Sequence, residues 1–259
     1  MLDKLASWDT IDFSSSSDAE ITKILKELNI ALSVDEVKKI QFSFLNRPAT
    51  LTELVLFSIQ GSEHSSYKSS KNHIKHFLTD GDHVILGAKD DAGVVSLSVD
   101  DNGNRYGLVV SHESHNHPSQ IVPYEGAATG VGGNVRDVCC MGAEVMSLGD
   151  SLRFGDIDRN KTKWISDGVV SGIAGYGNPL GIPNICGDLY FDKEYNENCL
   201  VTVLTAGVVK EKNVIRSKAP TNSVNYDLIL VGKPTDNSGF GGASFASLEL
   251  EEEKEQQNK

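Results

Sequence analysis

Four glycines fall within the eight residues 126–133, GAATGVGG, inside a stretch that otherwise reads as a helix over 124–141. A glycine in a helix interior costs about 1 kcal/mol relative to alanine. Such a run is kept where the backbone must come close to something. Two causes fit equally: a phosphate approached by bare N–H groups and the helix dipole, or tight packing of the helix on a neighbour. The run is not a Walker loop, because no Gly-Lys-Ser/Thr follows, and it is not the G-x-G-x-x-G dinucleotide fingerprint.

The flanking residues favour a metal and phosphate. All seven histidines lie between His64 and His117, three of them in His112-Glu-Ser-His-Asn-His-Pro118. Read as a strand, this places Glu113, His115 and His117 on one face, opposite Ser114 and Asn116. A carboxylate beside two imidazoles serves a metal or acid–base chemistry. Arg136 and Asp137, just past the glycines, add a phosphate-grade cation and a hard oxygen ligand. Glu113 and Asp137 make a magnesium pair, since Mg²⁺ takes carboxylates together with substrate phosphates. Upstream, in Ser62-Glu-His-Ser-Ser-Tyr-Lys68, His64 can carry a proton or stabilise charge, Tyr67 can stack on a base and Lys68 can hold phosphate. Asp188 is a further candidate acid near the metal. Ser62 and Ser114 each lie near a histidine, but no G-x-S-x-G elbow accompanies them.

Apolar periodicity predicts helices over 18–29 and 33–46, and a third from Thr50 toward His64, with capping boxes at Ser33–Glu36 and Thr50–Glu53. Residues 65–82 read as a polar, basic loop. Strands are expected at 93–99 and 105–111 around the turn 100–104, near 143–149, and at 184–191 and 199–209, with a helix over 163–179. This order describes an α+β domain with its helices on one face of the sheet. A strand at 226–232 and a glycine-rich loop at 238–244 read as the first elements of another α/β domain. Residues 248–259 are almost wholly charged or amide, so the chain is expected to stop inside that domain.

The formal net charge is −12 and no Lys/Arg cluster forms a basic face, so no nucleic-acid partner is expected. The four cysteines form no C-x-x-C pair and read as buried free thiols in a reducing compartment. No signal peptide or membrane span is evident, and a soluble cytoplasmic protein is expected.

Glu113-Ser-His-Asn-His-Pro118, Pro123-Tyr-Glu-Gly-Ala-Ala-Thr-Gly-Val-Gly-Gly133 and Arg136-Asp137 together resemble phosphoribosylformylglycinamidine synthase of the small (subunit II) type, in its N-terminal part. Ser62-Glu-His-Ser-Ser-Tyr-Lys68, Ser151-Leu-Arg-Phe-Gly155, Gly172-Ile-Ala-Gly-Tyr-Gly-Asn178 and Gly242-Ala-Ser-Phe-Ala-Ser247 extend the resemblance over residues 33–250. It implies a helical lead-in and basic loop over 1–82. A ferredoxin-like domain of the aminoimidazole ribonucleotide synthase-like superfamily follows over 83–222, and the start of a second domain over 223–259. It implies ATP- and Mg²⁺-dependent amidation of formylglycinamide ribonucleotide in purine biosynthesis, with ammonia from a glutaminase subunit and a small bridging subunit alongside. Carried over, His64 is an active-site histidine, His115 the proton acceptor, and Tyr67 and Lys68 ATP contacts. Glu113 and Asp137 are magnesium ligands, and Ser114, His115, Asn116, His117 and Arg136 are substrate contacts. It also implies that an isolated domain exposes an apolar sheet face and forms a homodimer through it.

The chain departs from the family pattern at Ser111, where a lysine is usual, at Asp188, where a glutamate is usual, and at Asp236-Asn-Ser-Gly239, in place of Gly-Arg-Asp-Gly. Two rivals stand beside the ligase reading. One is a catalytically incomplete fragment or paralogue that binds nucleotide or a partner. The other is a metal-dependent hydrolase.

Overall fold

The structure is a computed structural model that describes residues 5–227 and 229–234. It divides into two compact units, one containing the residues up to Phe77 and the other Leu78–Ile229.

In the first unit a two-residue strand β1 (Thr10–Ile11) pairs antiparallel with β2 (Ala49–Thr50). The helices are α1 (Asp18–Glu27), α2 (Val34–Lys39), α3 (Leu51–Gln60), α4 (Glu63–Ser66) and α5 (Lys71–Ile74). Complete capping boxes start α1 at Ser17 and Glu20, α2 at Ser33 and Glu36, and α3 at Thr50 and Glu53. Such a cap contributes about 1 kcal/mol, which fixes where these short helices begin. Phe13, Ile21, Leu25, Val37 and Leu54 form the core. The helix expected over 33–46 is not uniform. After Lys39 it widens into a π-helical segment, Ile40–Leu45, and stops at Asn46 in the left-handed region. Gln41 is buried there; its Oε1 accepts from Phe13 N at 3.0 Å and its Nε2 donates to Asp12 Oδ1 at 2.7 Å. The expected loop at 65–82 contains α5 and the end of α4, helices too short for an apolar period to reveal.

The second unit is a six-stranded sheet in the order β3-β4-β5-β8-β6-β7. Its strands are β3 (Val84–Leu86), β4 (Gly93–Val99), β5 (Arg105–Ser114), β6 (Glu144–Phe154), β7 (Asn184–Phe191) and β8 (Leu200–Lys210). The helices are α6 (Asn116–Ile121), α7 (Pro123–Cys140) and α8 (Asn160–Leu180). Strands β5 and β6 run the same way, with β8 antiparallel between them and α7 connecting them, a split β-α-β unit. Helices α7 and α8 pack on one face. Alternation along β8 shows which: Val201, Val203, Thr205, Gly207 and Val209 are buried and their neighbours are not. Val131, Leu148, Leu152, Phe154 and Val169 complete this core. The α+β class with helices on one face is therefore as the sequence predicts. Strand β3 is an addition, too short to read in advance.

Among the described residues the opposite face carries no helix. Val95, Leu108 and Val208 align across β4, β5 and β8 on that side. Val95 and Leu97 are 41% and 54% exposed, an apolar surface facing outward.

Two expectations are corrected here. The strand at 226–232 does not form among its described residues: a strand needs a paired neighbour, and no described strand lies beside it. The thiols are free as expected, but only Cys199 is buried; Cys139 and Cys140 end α7 facing outward, and Cys186 sits on edge strand β7. The loop at 238–244 and the tail at 248–259 lie outside the described residues. Among the described residues no helix is long and apolar enough to cross a membrane.

The glycines of α7 serve packing. A Cβ on Gly126 would lie 2.6 Å from Ser119 N and 2.7 Å from the Pro118 carbonyl carbon, against α6 backbone. One on Gly130 would meet His115 Cβ at 2.9 Å, and one on Gly132 the Tyr176 ring of α8 at 2.7 Å. In return, Gly175 of α8 lies under Tyr124 of α7. Nor are these N–H groups bare: Gly126 N already donates to Val122 O at 2.7 Å. Gly133 alone in the run has open space beside it. Opposite outcomes follow. Gly126→Ala should lower the unfolding free energy by about 1–3 kcal/mol through overpacking, whereas Gly133→Ala should raise it by up to about 1 kcal/mol through helix propensity. Urea denaturation midpoints at constant m-value check both.

Candidate functional site

The site is built where the last residues of β5 meet α7. Ser111 and Glu113 pair with Thr205 and Val203 of β8, so they share the helix-covered face. Asn134 and Asp137 are one turn apart on α7 and face the same strand. Ser111 Oγ donates to Asp137 Oδ2 at 3.3 Å, and Asn134 Nδ2 donates to Ser111 Oγ at 2.9 Å. Glu113 and Asp137 are in hydrogen-bonding contact, carboxyl to carboxyl. Burial and the Glu113 carboxylate push the Asp137 carboxyl up to about 7, against a smaller downward pull from Arg136 and Ser111. The pair is short of positive charge.

Such a pair is a donor set that a divalent cation can use. Two converging carboxylates, one half-buried and one exposed, suit Mg²⁺, which fills its remaining positions with water and phosphate oxygens. Among the described residues no group of three or more His, Cys, Asp or Glu converges to hold a metal.

The other candidates separate. The strand ends at Ser114, so Glu113, His115 and His117 do not share a strand face. His115 occupies the N-cap position of α6, with its N–H donating to Val201 O at 2.8 Å and its side chain against Gly130. His117 lies in α6. The turn forms because Ser119 Oγ donates to His115 O at 2.6 Å and Asn116 Oδ1 accepts from Val201 N at 2.8 Å. Pro118 is harmless there, in the first helical turn. Ser114 points to the open face of the sheet, opposite Glu113, and Arg136 is exposed beside Asp137. Asp188 is not with the carboxylate pair. On β7 it forms a bidentate ion pair with Arg153 at 2.9 Å, whose guanidinium holds its carboxyl down at about 2. A cavity of about 400 Å³ also lies away from the pair, between α8 and strands β6 and β7, with Leu148, Ile173 and Leu189 in its wall.

In the first unit, His64 lies in α4, and Tyr67 caps it in the left-handed region, 53% exposed. Lys68 is engaged by Glu36 at 2.7 Å. Glu63 shapes the segment: it accepts from the N–H and hydroxyl of both Ser69 and Ser70, which bring its carboxyl down to about 2.

Sequence reasoning missed Asn134 and the inward role of Ser111. The signal was present: 111 and 113 alternate onto one strand face, and 134 and 137 are three apart on one helix.

The AIR synthase related protein N-terminal domain matches residues 89–209, and the formylglycinamide ribonucleotide amidotransferase linker domain matches residues 21–68. The phosphoribosylformylglycinamidine synthase subunit PurL of Methanothrix thermoacetophila is 49% identical over 249 residues, covering 94% of this chain. The chain spans 32% of that relative's length. The solved structure of T. maritima PurL complexed with FGAR is 36% identical, with a TM-score of 0.65 over 83% of this chain and 32% of that one. T. maritima PurL complexed with ATP is 37% identical, with a TM-score of 0.61 over 73% and 29%.

A carboxyl raised in the folded state makes stability depend on pH in a defined direction. Asp137 ionises near 4 when unfolded and near 7 when folded, so its contribution is fully present below about pH 4 and is lost as pH rises through about 7. Asp137→Asn should therefore stabilise the metal-free protein at pH 8 by about 1 kcal/mol, a figure reduced for solvent screening of a half-exposed pair. It should also abolish any rise in unfolding temperature on adding Mg²⁺. Thermal unfolding at pH 5 and pH 8, with and without Mg²⁺, measures both.

Proposed function

The chain belongs to the phosphoribosylformylglycinamidine synthase family, small type, matching its N-terminal part, and we propose that it carries the metal-binding portion of an ATP-dependent, amidine-forming site. The substrate is formylglycinamide ribonucleotide, in purine biosynthesis in the cytoplasm. In the reaction the carbonyl oxygen on the glycinamide carbon takes the γ-phosphoryl group of ATP and ADP leaves. Ammonia then adds to that carbon, and phosphate departs with the oxygen. Ammonia comes from a glutaminase partner, with a small bridging subunit in the assembly.

The observation that carries this reading is the uncompensated carboxylate pair, Glu113 with Asp137, in a chain of this family. Glu113 and Asp137 would hold Mg²⁺, which supplies positive charge against the triphosphate. His115, fixed by α6 and Gly130, accepts a proton near the reacting carbon. Arg136 is exposed beside the pair and meets substrate phosphate. Ser114, Asn116 and His117 are assigned to the ribonucleotide, and His64, Tyr67 and Lys68 to the active site and ATP. One observation favours the second reading, a nucleotide- or partner-binding module without turnover of its own. The Ser111 hydroxyl is buried and engaged by Asn134 and Asp137, so position 111 offers no cation to a phosphate.

Ammonium, formylglycinamide ribonucleotide and MgATP form the deciding assay, with ADP release measured. Substrate-dependent release that disappears in His115→Ala is the expected result. Release that is indifferent to formylglycinamide ribonucleotide defeats the ligase reading. No release by this chain, but release by a chain extended to the relatives' length, establishes the module.

The uncovered sheet face is assigned to a second copy of the chain, because an exposed apolar strip on a sheet marks a contact surface. Leu97→Glu should then shift sedimentation from dimer to monomer without changing the unfolding midpoint of the monomer. A wild-type chain that sediments as a monomer at high concentration refutes the assignment.

A further inference from the structure

Behind the carboxylate pair lies a set of fully covered polar side chains that the proposed chemistry does not use. Asn134 and Thr205 are 0% exposed and Ser111 is 5% exposed. They occupy α7, β8 and β5, in the middle of an otherwise apolar layer where a buried amide costs stability unless it is bonded. Asn134 Oδ1 and Thr205 Oγ1 have no hydrogen-bond partner among the described residues. Packing alone would favour leucine or valine at these positions.

The hydrogen bonds have one consistent direction. Ser111 Oγ has a single proton, and it is directed at Asp137 Oδ2. Its oxygen is then left to accept, and Asn134 must present its amide N–H, as observed at 2.9 Å. The reverse orientation of the Asn134 amide would leave Asp137 without this donor. The Ser111–Asp137 bond at 3.3 Å is longer than the usual O–H···O distance. It guides the carboxylate and leaves it able to turn toward a cation.

We propose that Asn134, acting through Ser111, is a positioning residue that aims the Asp137 carboxylate toward Glu113 and so sets the affinity of the pair for a divalent cation. The inference rests on the reading of Glu113 and Asp137 as the metal pair. Asn134 touches neither metal nor substrate. Its cost to the fold, including the orphaned Oδ1, is offset by function at Asp137.

Mn²⁺, followed by electron paramagnetic resonance on the full chain, is the probe. Unfolding midpoints of the metal-free protein are measured alongside. Asn134→Leu should weaken Mn²⁺ binding about tenfold while leaving the metal-free midpoint unchanged or higher, since it removes an orphaned polar atom. Ser111→Ala should weaken binding similarly, and Ser111→Thr, which keeps the hydroxyl, should restore it. These two variants keep the test decisive should Asn134→Leu fail to fold. Wild-type affinity in both Asn134→Leu and Ser111→Ala overturns the relay, provided that Glu113→Gln abolishes binding. Affinity that falls only in step with fold stability also overturns it. If Glu113→Gln binds Mn²⁺ as the wild type does, the carboxylate pair is not the metal site, and that reading fails before the relay is reached.

Discussion

Helix α7 can lie where it does only because three of its residues lack a side chain. Gly126 admits the α6 backbone, Gly130 admits His115, and Gly132 admits Tyr176. Any Cβ at Gly126 would have to displace backbone, which does not yield as a flexible side chain does. That approach brings Asp137 to the strand that carries Glu113, and it holds His115 at the start of α6. The conformational cost of glycine in a helix is thus spread over three contacts, each of which fixes a part of the site.

The charge arrangement separates structural acids from the candidate functional one. Glu53 faces Arg47 and Asp188 faces Arg153, and each carboxyl is held at about 2 by its guanidinium partner. These exposed pairs contribute little to stability and explain themselves. Asp137 has Arg136 next to it in sequence, yet burial and Glu113 outweigh that neighbour and push it to about 7. Two carboxylates in contact, one of them half-buried, work against the fold unless a cation joins them. Sites of that kind are kept for what they bind.

Much of this was legible in advance because period and position carry it. Residues 199–209 read as a strand, which is β8, and the Ser33 and Thr50 boxes gave two helix starts. That Glu113 and Asp137 come together could be suspected, although they are 24 positions apart in sequence. What failed depends on partners that a single sequence does not display. Asn116-His-Pro-Ser-Gln-Ile121 has no apolar repeat, and it is helical because Ser119 and Asn116 bond to neighbouring backbone. Residues 226–232 have β-forming composition, but strand identity is a property of a pair. The glycine run was ambiguous between phosphate and packing, and only the atoms around each missing Cβ decide it.

The end of β5 also explains why the signature mixes residues from opposite faces of the sheet. Glu113 faces α7 and Ser114 faces the open side, so a sheet interior would keep them apart. Ser114 is the last residue of the strand, and at a strand end both faces meet one edge. A ligand touching both residues must approach around that edge, across the turn that His115 opens. Asn116 and Ser119 spend hydrogen bonds on holding that turn, with Asn116 tied to Val201 of the neighbouring strand β8. The turn is therefore anchored to the sheet, and that anchor sets the place of His115 relative to Glu113.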